Sequence, residues 1–156
     1  MYQKVFIQGL LLDPITERPI LVLREEGEQR ILPIWIGVSE ANAIALQLEN
    51  VKVPRPMTHD LLCGILSQMH GQVKEVRICD LQDNTYFADI VLEQAGEEVH
   101  VDARPSDAVA LAVRADAPIF VEETIFDRCG ETEEAGDFVR SWFEQLSPED
   151  LGRYRM

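Results

Sequence analysis

The sequence predicts an α+β fold: a mixed, mainly antiparallel sheet built from two β-β-β-α repeats, with one helix inserted between them. Three observations carry this. Short apolar runs are bounded by turn residues, as in Val5 to Leu12 before Asp13-Pro14. Three stretches switch to helical spacing, each just after a proline or a capping residue. The first pattern then returns roughly seventy residues later in the chain.

The elements follow in order. Val5 to Leu12, Ile20 to Leu23 and Ile31 to Ile36 read as strands, and Pro33 inside the third suggests an edge or a bulge. Ser39 is the expected N-cap of a first helix, with Glu40 in its first turn and Ala41, Ile44, Ala45 and Leu48 as its apolar stripe. Asn50 can end it. Thr58 is the expected N-cap of the inserted helix, 58–70, because Pro56 cannot lie inside it. Leu61, Leu62, Ile65, Leu66 and Met69 are its expected buried face, and Gly71 stops it. Val76 and Ile78, Phe87 to Leu92, and Val99 and Val101 read as three further strands. Ser106 is expected to cap a third helix with Asp107 in its first turn.

The two halves overlay as 3–50 on 73–115. Val5 falls on Val76, Asp13 on Asp83, and Ser39-Glu40-Ala41 on Ser106-Asp107-Ala108. Pro118 to Val121 reads as a short last strand. One domain is expected over 1–125. An acidic loop at 127–136 and a helical tail, with Phe138, Trp142, Phe143 and Leu146 and then Pro148-Glu149-Asp150, are expected within 126–156.

The charge narrows the function. The net charge is −14, and residues 116–156 hold 11 acidic and 4 basic side chains. Such a field repels phosphate, so the chain is not a general nucleic-acid coat, although a local basic site or a bridging ion could still serve one. Cys63, Cys79 and Cys129 form no C-x-x-C pair, which suits free thiols in a reducing compartment. The N-terminus lacks a signal-peptide layout and no apolar run reaches the ~20 residues of a membrane span. A cytoplasmic location and no membrane partner are expected.

Two clusters carry candidate chemistry. Arg55-Pro56-Met57-Thr58-His59-Asp60, with Lys52 ahead of it, is the one locally basic run. A helix start favours anions, Arg55 and Thr58 could bind phosphate, His59 could transfer a proton, and Asp60 could orient it or hold a metal. The plain alternative is capping by Thr58 and Asp60 with a solvated His59. The second cluster is Asp102-Ala103-Arg104-Pro105-Ser106-Asp107. Arg104 and Ser106 could contact substrate. Ser106 lacks the G-x-S-x-G elbow of a nucleophile, and Arg104 could instead pair with Asp102 or Asp107. Glu40, by analogy with Asp107, could join Asp60, Asp102 and Asp107 as ligands of a divalent ion, Mg²⁺ or Mn²⁺. Glu40 and Glu49 lie on opposite helix faces and cannot share one ion within the helix. His70 and His100 lack partners at metal spacing.

Three ordered motifs carry a resemblance. They are Leu32-Pro33-Ile34-Trp35-Ile36-Gly37 with Glu40-Ala41, then Arg55-Pro56-Met57-Thr58-His59-Asp60-Leu61, then Asp102-Ala103-Arg104-Pro105-Ser106-Asp107-Ala108 with Arg114. Together they resemble the bifunctional nuclease (BFN) family over residues 3–125. The resemblance implies a compact mixed α/β fold, a homo-oligomer with a dimer favoured, and a nuclease acting on RNA and DNA. It supplies no mechanism. The roles given above rest on side-chain chemistry: His59, Asp60 and Asp107 as the catalytic set, with Arg55, Thr58, Arg104 and Ser106 for substrate. A metal-assisted phosphodiesterase is the first reading. A non-enzymatic module that binds a small anionic, phosphorylated ligand or a protein partner is the second. A purely structural role for the arginine–carboxylate pairs is the third.

Overall fold

The computed structural model describes residues 1–27 and 30–128. The expected tail at 129–156, including Cys129, lies outside the described residues. The elements are β1 (Tyr2–Leu12), β2 (Pro19–Glu25), β3 (Ile31–Trp35), α1 (Val38–Leu48), α2 (Thr58–Gln68), β4 (Gly71–Gln82), β5 (Thr85–Gln94), β6 (Glu97–Ala103), α3 (Pro105–Ala115), β7 (Ile119–Glu122) and α4 (Glu123–Arg128). None of these helices is long and apolar enough to cross a membrane.

The strands form one sheet in the order β3-β2-β1-β7-β4-β5-β6. All pairs are antiparallel except β4 with β7. Each outer half is a three-strand meander that runs into a helix, and β7 lies between the halves. Val5 of β1 and Val76 of β4 both register against Ile119 of β7. Pro33 is indeed on an edge strand, where its missing N–H costs no ladder bond. The β4–β5 hairpin turns at Asp83 and Asn84, both at positive φ, the geometry whose twist suits a two-residue connection.

The main core lies between one sheet face and the helices, with Leu21, Leu23, Ile44, Val76, Ile78 and Val109 fully buried. A smaller cluster of Leu11, Ile20 and Val22 packs on the other face with Trp35. α3 is the central helix, buried from Pro105 through Leu111 except at half-exposed Asp107, because α1, α2, β4 and β5 surround it.

Several expectations need correction. The N-caps are Gly37, Met57 and Arg104, so Ser39, Thr58 and Ser106 fall one or two residues inside their helices. Shifts of this size are common at helix ends, where several residues compete for the first free N–H groups. α2 ends at Gln68 and β4 begins at Gly71. The expected buried face of α2 is open: Leu61, Leu62, Ile65 and Met69 are exposed, Leu66 is half-buried, and His59 is the buried residue of the helix. α2 touches α3 and β4 on its opposite side, through Cys63 among others. Residues 123–128 form α4, where the sequence suggested the domain's end and the start of a loop.

One buried cation ties the three main helices together. Arg114, near the end of α3, donates from Nε to Asp60 Oδ1 at 2.7 Å, from Nη1 to the Ala110 carbonyl at 2.9 Å and from Nη2 to the Ala43 carbonyl at 3.0 Å. Its side chain is 6% exposed. Replacing it removes the charged partner of Asp60 and one hydrogen bond from each of two helical carbonyls. Arg114→Met is expected to lower stability by about 2–4 kcal/mol, read as a lower urea midpoint at unchanged m-value.

Candidate functional site

Three helix starts converge on one constellation. Glu40 lies in the first turn of α1, His59 in that of α2, and Asp107 in that of α3, with Arg104 as the residue before α3. His59 Nε2 meets Asp107 Oδ1 at 2.8 Å. Asp107 Oδ2 accepts from Arg104 Nε at 2.9 Å and Nη2 at 2.7 Å. Arg104 Nη2 also donates to Glu40 Oε1 at 2.9 Å. The result is a continuous chain, Glu40–Arg104–Asp107–His59, drawn from segments far apart in sequence.

Local sequence makes each contact. Gly37 caps α1, and the Glu40 carboxylate folds back over it, where a Cβ would require that flexible side chain to shift. Pro105 opens α3 with a fixed φ and no unused N–H. It presents Arg104 and Asp107 one turn apart, the spacing at which helical side chains meet.

Burial raises the Asp107 carboxyl, but the hydrogen bonds from His59 and Arg104 outweigh it and hold the group below the usual carboxylate range. Ionised Asp107 accepts at Oδ1, so His59 donates from Nε2–H and the neutral ring presents Nδ1 as a lone pair. Among the described residues Nδ1 has no hydrogen-bond partner, and it is not among their fully enclosed unpaired polar atoms. His59 is 7% exposed overall. An imidazole held by a carboxylate, with one nitrogen open, is the arrangement of a general base or acid.

His59, Asp107 and Arg104 line one end of a groove of about 800 Å³ between α2 and the β5–β6 hairpin. Its walls are largely apolar, with Leu62, Ile65 and Met69 on one side and Leu92 and Val101 on the other. Arg55, Lys52 and Asp60 line a second, open cleft on the other side of the α2 start. Both cations are exposed, and among the described residues neither is ion-paired.

The remaining expected site residues divide as follows. Asp60 has both oxygens engaged, Oδ2 accepting from the Met57 N–H at 3.0 Å and Oδ1 from Arg114. These bonds hold its carboxyl below the ordinary range. Thr58 lines the groove beside His59 and is exposed, whereas Ser106 is buried. Of the two carboxylates that sequence offered to Arg104, the structure pairs it with Asp107. Asp102 sits opposite Asp89 on the edge strand, at the groove's rim. The four suggested metal ligands do not gather at one point. The Arg104 guanidinium fills the space between Glu40 and Asp107, and among the described residues no three His, Cys, Asp or Glu side chains are grouped to hold an ion. As the side chains stand, they do not make a ligand set.

Sequence reasoning gave Arg114 no role. Its signal was spacing, since Arg114 lies two helical turns beyond Asp107, as Asp60 lies beside His59.

Comparison with known proteins agrees with the motifs that build this site. Residues 21–134 match the bifunctional nuclease domain. The chain belongs to the bifunctional nuclease domain family. It is 40% identical to an uncharacterized protein of Mycobacterium tuberculosis over 95% of this chain and 97% of that one. It is 31% identical to bifunctional nuclease 2 of Oryza sativa subsp. japonica over 76% of this chain, and 32% identical to bifunctional nuclease 1 of Arabidopsis thaliana over 74%. The matches span 38% and 37% of those plant proteins. All the constellation's residues, from Glu40 to Asp107, lie within the family domain.

The depressed Asp107 carboxyl fixes a pH dependence. A carboxyl whose folded pKa lies below its unfolded value contributes stability that is fully present above the unfolded value and lost as pH falls through the folded one. The stability that the Asp107 carboxylate contributes relative to Asp107→Asn is expected to be present above about pH 5 and to be lost as pH falls below it. Urea titrations at a series of pH values measure it, and a difference that does not shrink below about pH 5 contradicts it.

Proposed function

We propose that this BFN-family protein hydrolyses phosphodiester bonds of RNA or DNA, with His59 as the proton-transfer group. The observation that carries the reading is His59 itself, buried, held at Nε2 by an ionised Asp107, and open at Nδ1 beside a groove. The names of the plant relatives add nuclease activity as the chemistry to test.

In this reading His59 Nδ1 takes a proton from a water molecule whose oxygen attacks phosphorus. The P–O bond to the leaving oxygen breaks, and that oxygen is protonated from the imidazolium or from solvent. Asp107 keeps the ring in the required tautomer and balances the imidazolium charge as it forms. Arg104 and Glu40 position Asp107. Arg55 and Lys52 take phosphate, because among the described residues they are the cations left unpaired near the α2 start, where free N–H groups also favour an anion. Arg104 Nη1, which holds neither Asp107 nor Glu40, can add one further donor. Asp60 holds α2 in place through Arg114. Mg²⁺ or Mn²⁺ would arrive with the phosphates and neutralise part of their charge.

The net charge of −14 favours a second reading, a site that binds a small phosphorylated ligand without turning it over. Cleavage of labelled single-stranded RNA and DNA, with Mg²⁺, Mn²⁺ or EDTA, separates the two. His59→Ala is expected to lose about 10²–10⁴-fold in rate while keeping its circular dichroism. Arg55→Ala is expected to weaken binding of all sequences alike and reduce the salt slope by about one. A folded His59→Ala protein that cuts at the full rate would remove histidine from the mechanism. A protein that binds nucleotides tightly and never cleaves would establish the second reading.

A further inference from the structure

The groove beside His59 is lined on both sides by side chains of one chemical kind. Leu62 and Ile65 of α2, Met69 just after it and Val101 of β6 line it and are each about half exposed. Ile90 and Leu111 also line it and are buried. From Leu61 through Val73 the chain carries no Asp, Glu, Lys or Arg, although 27% of all residues are charged. The charged residues of the lining, Asp102, Arg104 and Asp107, come from one short stretch at the α3 start. The groove's volume of about 800 Å³ falls within the roughly 300–1,000 Å³ of small-molecule sites, which are likewise mostly apolar with a few placed polar groups.

The cleft on the other side of the α2 start has the opposite character, since Lys52 and Arg55 line it. A helix start that stands between a cationic cleft and an apolar groove suits a ligand with two unlike ends, one anionic and one apolar. The net charge of −14 bears on its size. A polyanion brings many phosphates into a repelling field, whereas a single ester brings one. The groove walls bear on its apolar end. A nucleoside carries ring nitrogens and hydroxyls that lose water against such walls without gaining hydrogen bonds, which costs free energy. A hydrocarbon chain has no such groups, and its burial covers Leu62, Ile65 and Val101 as well as itself.

We propose that the site also takes small phosphate esters that carry an apolar chain, with the phosphate at the α2 start and the chain lying in the groove. The substrates of this class are phosphodiesters with the chain as one substituent on phosphorus. The inference rests on the hydrolytic reading for its reaction, but its binding step stands apart from turnover. The bond formed runs from a water oxygen to phosphorus, and the bond broken runs from phosphorus to the leaving oxygen. His59 takes the water proton, and the apolar substituent stays on phosphorus. A chain in the groove also excludes water from one side of the His59–Asp107 pair, which lines the same groove.

Isothermal titration of the full chain with inorganic phosphate and with ethyl, butyl and hexyl phosphate tests it. Two variants run beside it: Ile65→Ser in the groove wall, and Leu61→Ser, which is similarly exposed but does not line the groove. Affinity is expected to rise about two- to fourfold with each added methylene, the upper figure being that of full burial. Ile65→Ser should bind hexyl phosphate about fivefold more weakly and ethyl phosphate unchanged, while Leu61→Ser should match the unaltered protein for both. A protein that binds none of the esters overturns the proposal, and so does an affinity that stays level from ethyl to hexyl phosphate. A gain that Ile65→Ser keeps, or that Leu61→Ser loses equally, is general adsorption and overturns it too. A nucleoside monophosphate bound more tightly than hexyl phosphate makes the groove a base site, and the proposal fails. Because binding is read without turnover, a protein that shows the gain and cleaves no phosphodiester sinks the hydrolytic reading and leaves the apolar-chain site standing.

Discussion

The fold depends on a polar seam between α2 and α3. α2 buries one residue of its eleven, His59, so apolar burial does little to hold it. Two charge-assisted hydrogen bonds hold it instead, His59 to Asp107 and Asp60 to Arg114. The partners are adjacent on α2 and seven residues apart on α3, so the seam fixes both the position and the direction of the α2 start. Bonds of this kind are worth roughly twice a neutral one, and each here is shielded on one side, with Arg114 and His59 almost fully covered. The same bonds place an imidazole at the mouth of a groove. Structural and chemical demands therefore fall on the same four side chains.

The electrostatics of the constellation follow from its being built at helix starts. Each of the three helices places a carboxylate in its first turn, where free N–H groups favour negative charge. Left alone, Glu40 and Asp107 would repel one another and any phosphate. Arg104 offsets one of the two charges and bridges them, which fixes Asp107 in a single orientation. With Arg104 so used, Arg55 and Lys52 are the nearby cations without an ion pair among the described residues. The arrangement separates a compensated network, which sets geometry, from an exposed pair that carries no ion pair among the described residues.

How much of this was legible in the sequence depended on range. Strands, turns and the edge position of Pro33 follow from local pattern and were readable. So was the last strand at 118–121, although its central place between β1 and β4 was not, since nothing local says which distant strands flank it. The motifs at Arg55–Asp60 and Asp102–Asp107 contain three of the four side chains of the hydrogen-bonded constellation, His59, Arg104 and Asp107. The pairing of His59 with Asp107, 48 residues apart, was not readable, nor was the tie from Asp60 to Arg114. The clear failure was the face of α2. An apolar stripe is ordinarily read as facing the chain's own core, but the inward side of α2 is taken by His59 and Cys63, and Leu62, Ile65, Leu66 and Met69 line the groove. A stripe shows that a surface is to be covered and does not say by what.

That distinction joins the two ends of α2. Its first turn is fixed by ion pairs and its later turns present apolar side chains to a groove. A helix of eleven residues is about 16 Å long and moves as a rigid rod. The lean of the rod on α3 therefore sets how well His59 Nε2 meets Asp107. A shift of half an ångström at that contact already separates a short charge-assisted bond from a weak one. The groove wall and the histidine's alignment thus depend on one short helix, in which His59 is the buried residue.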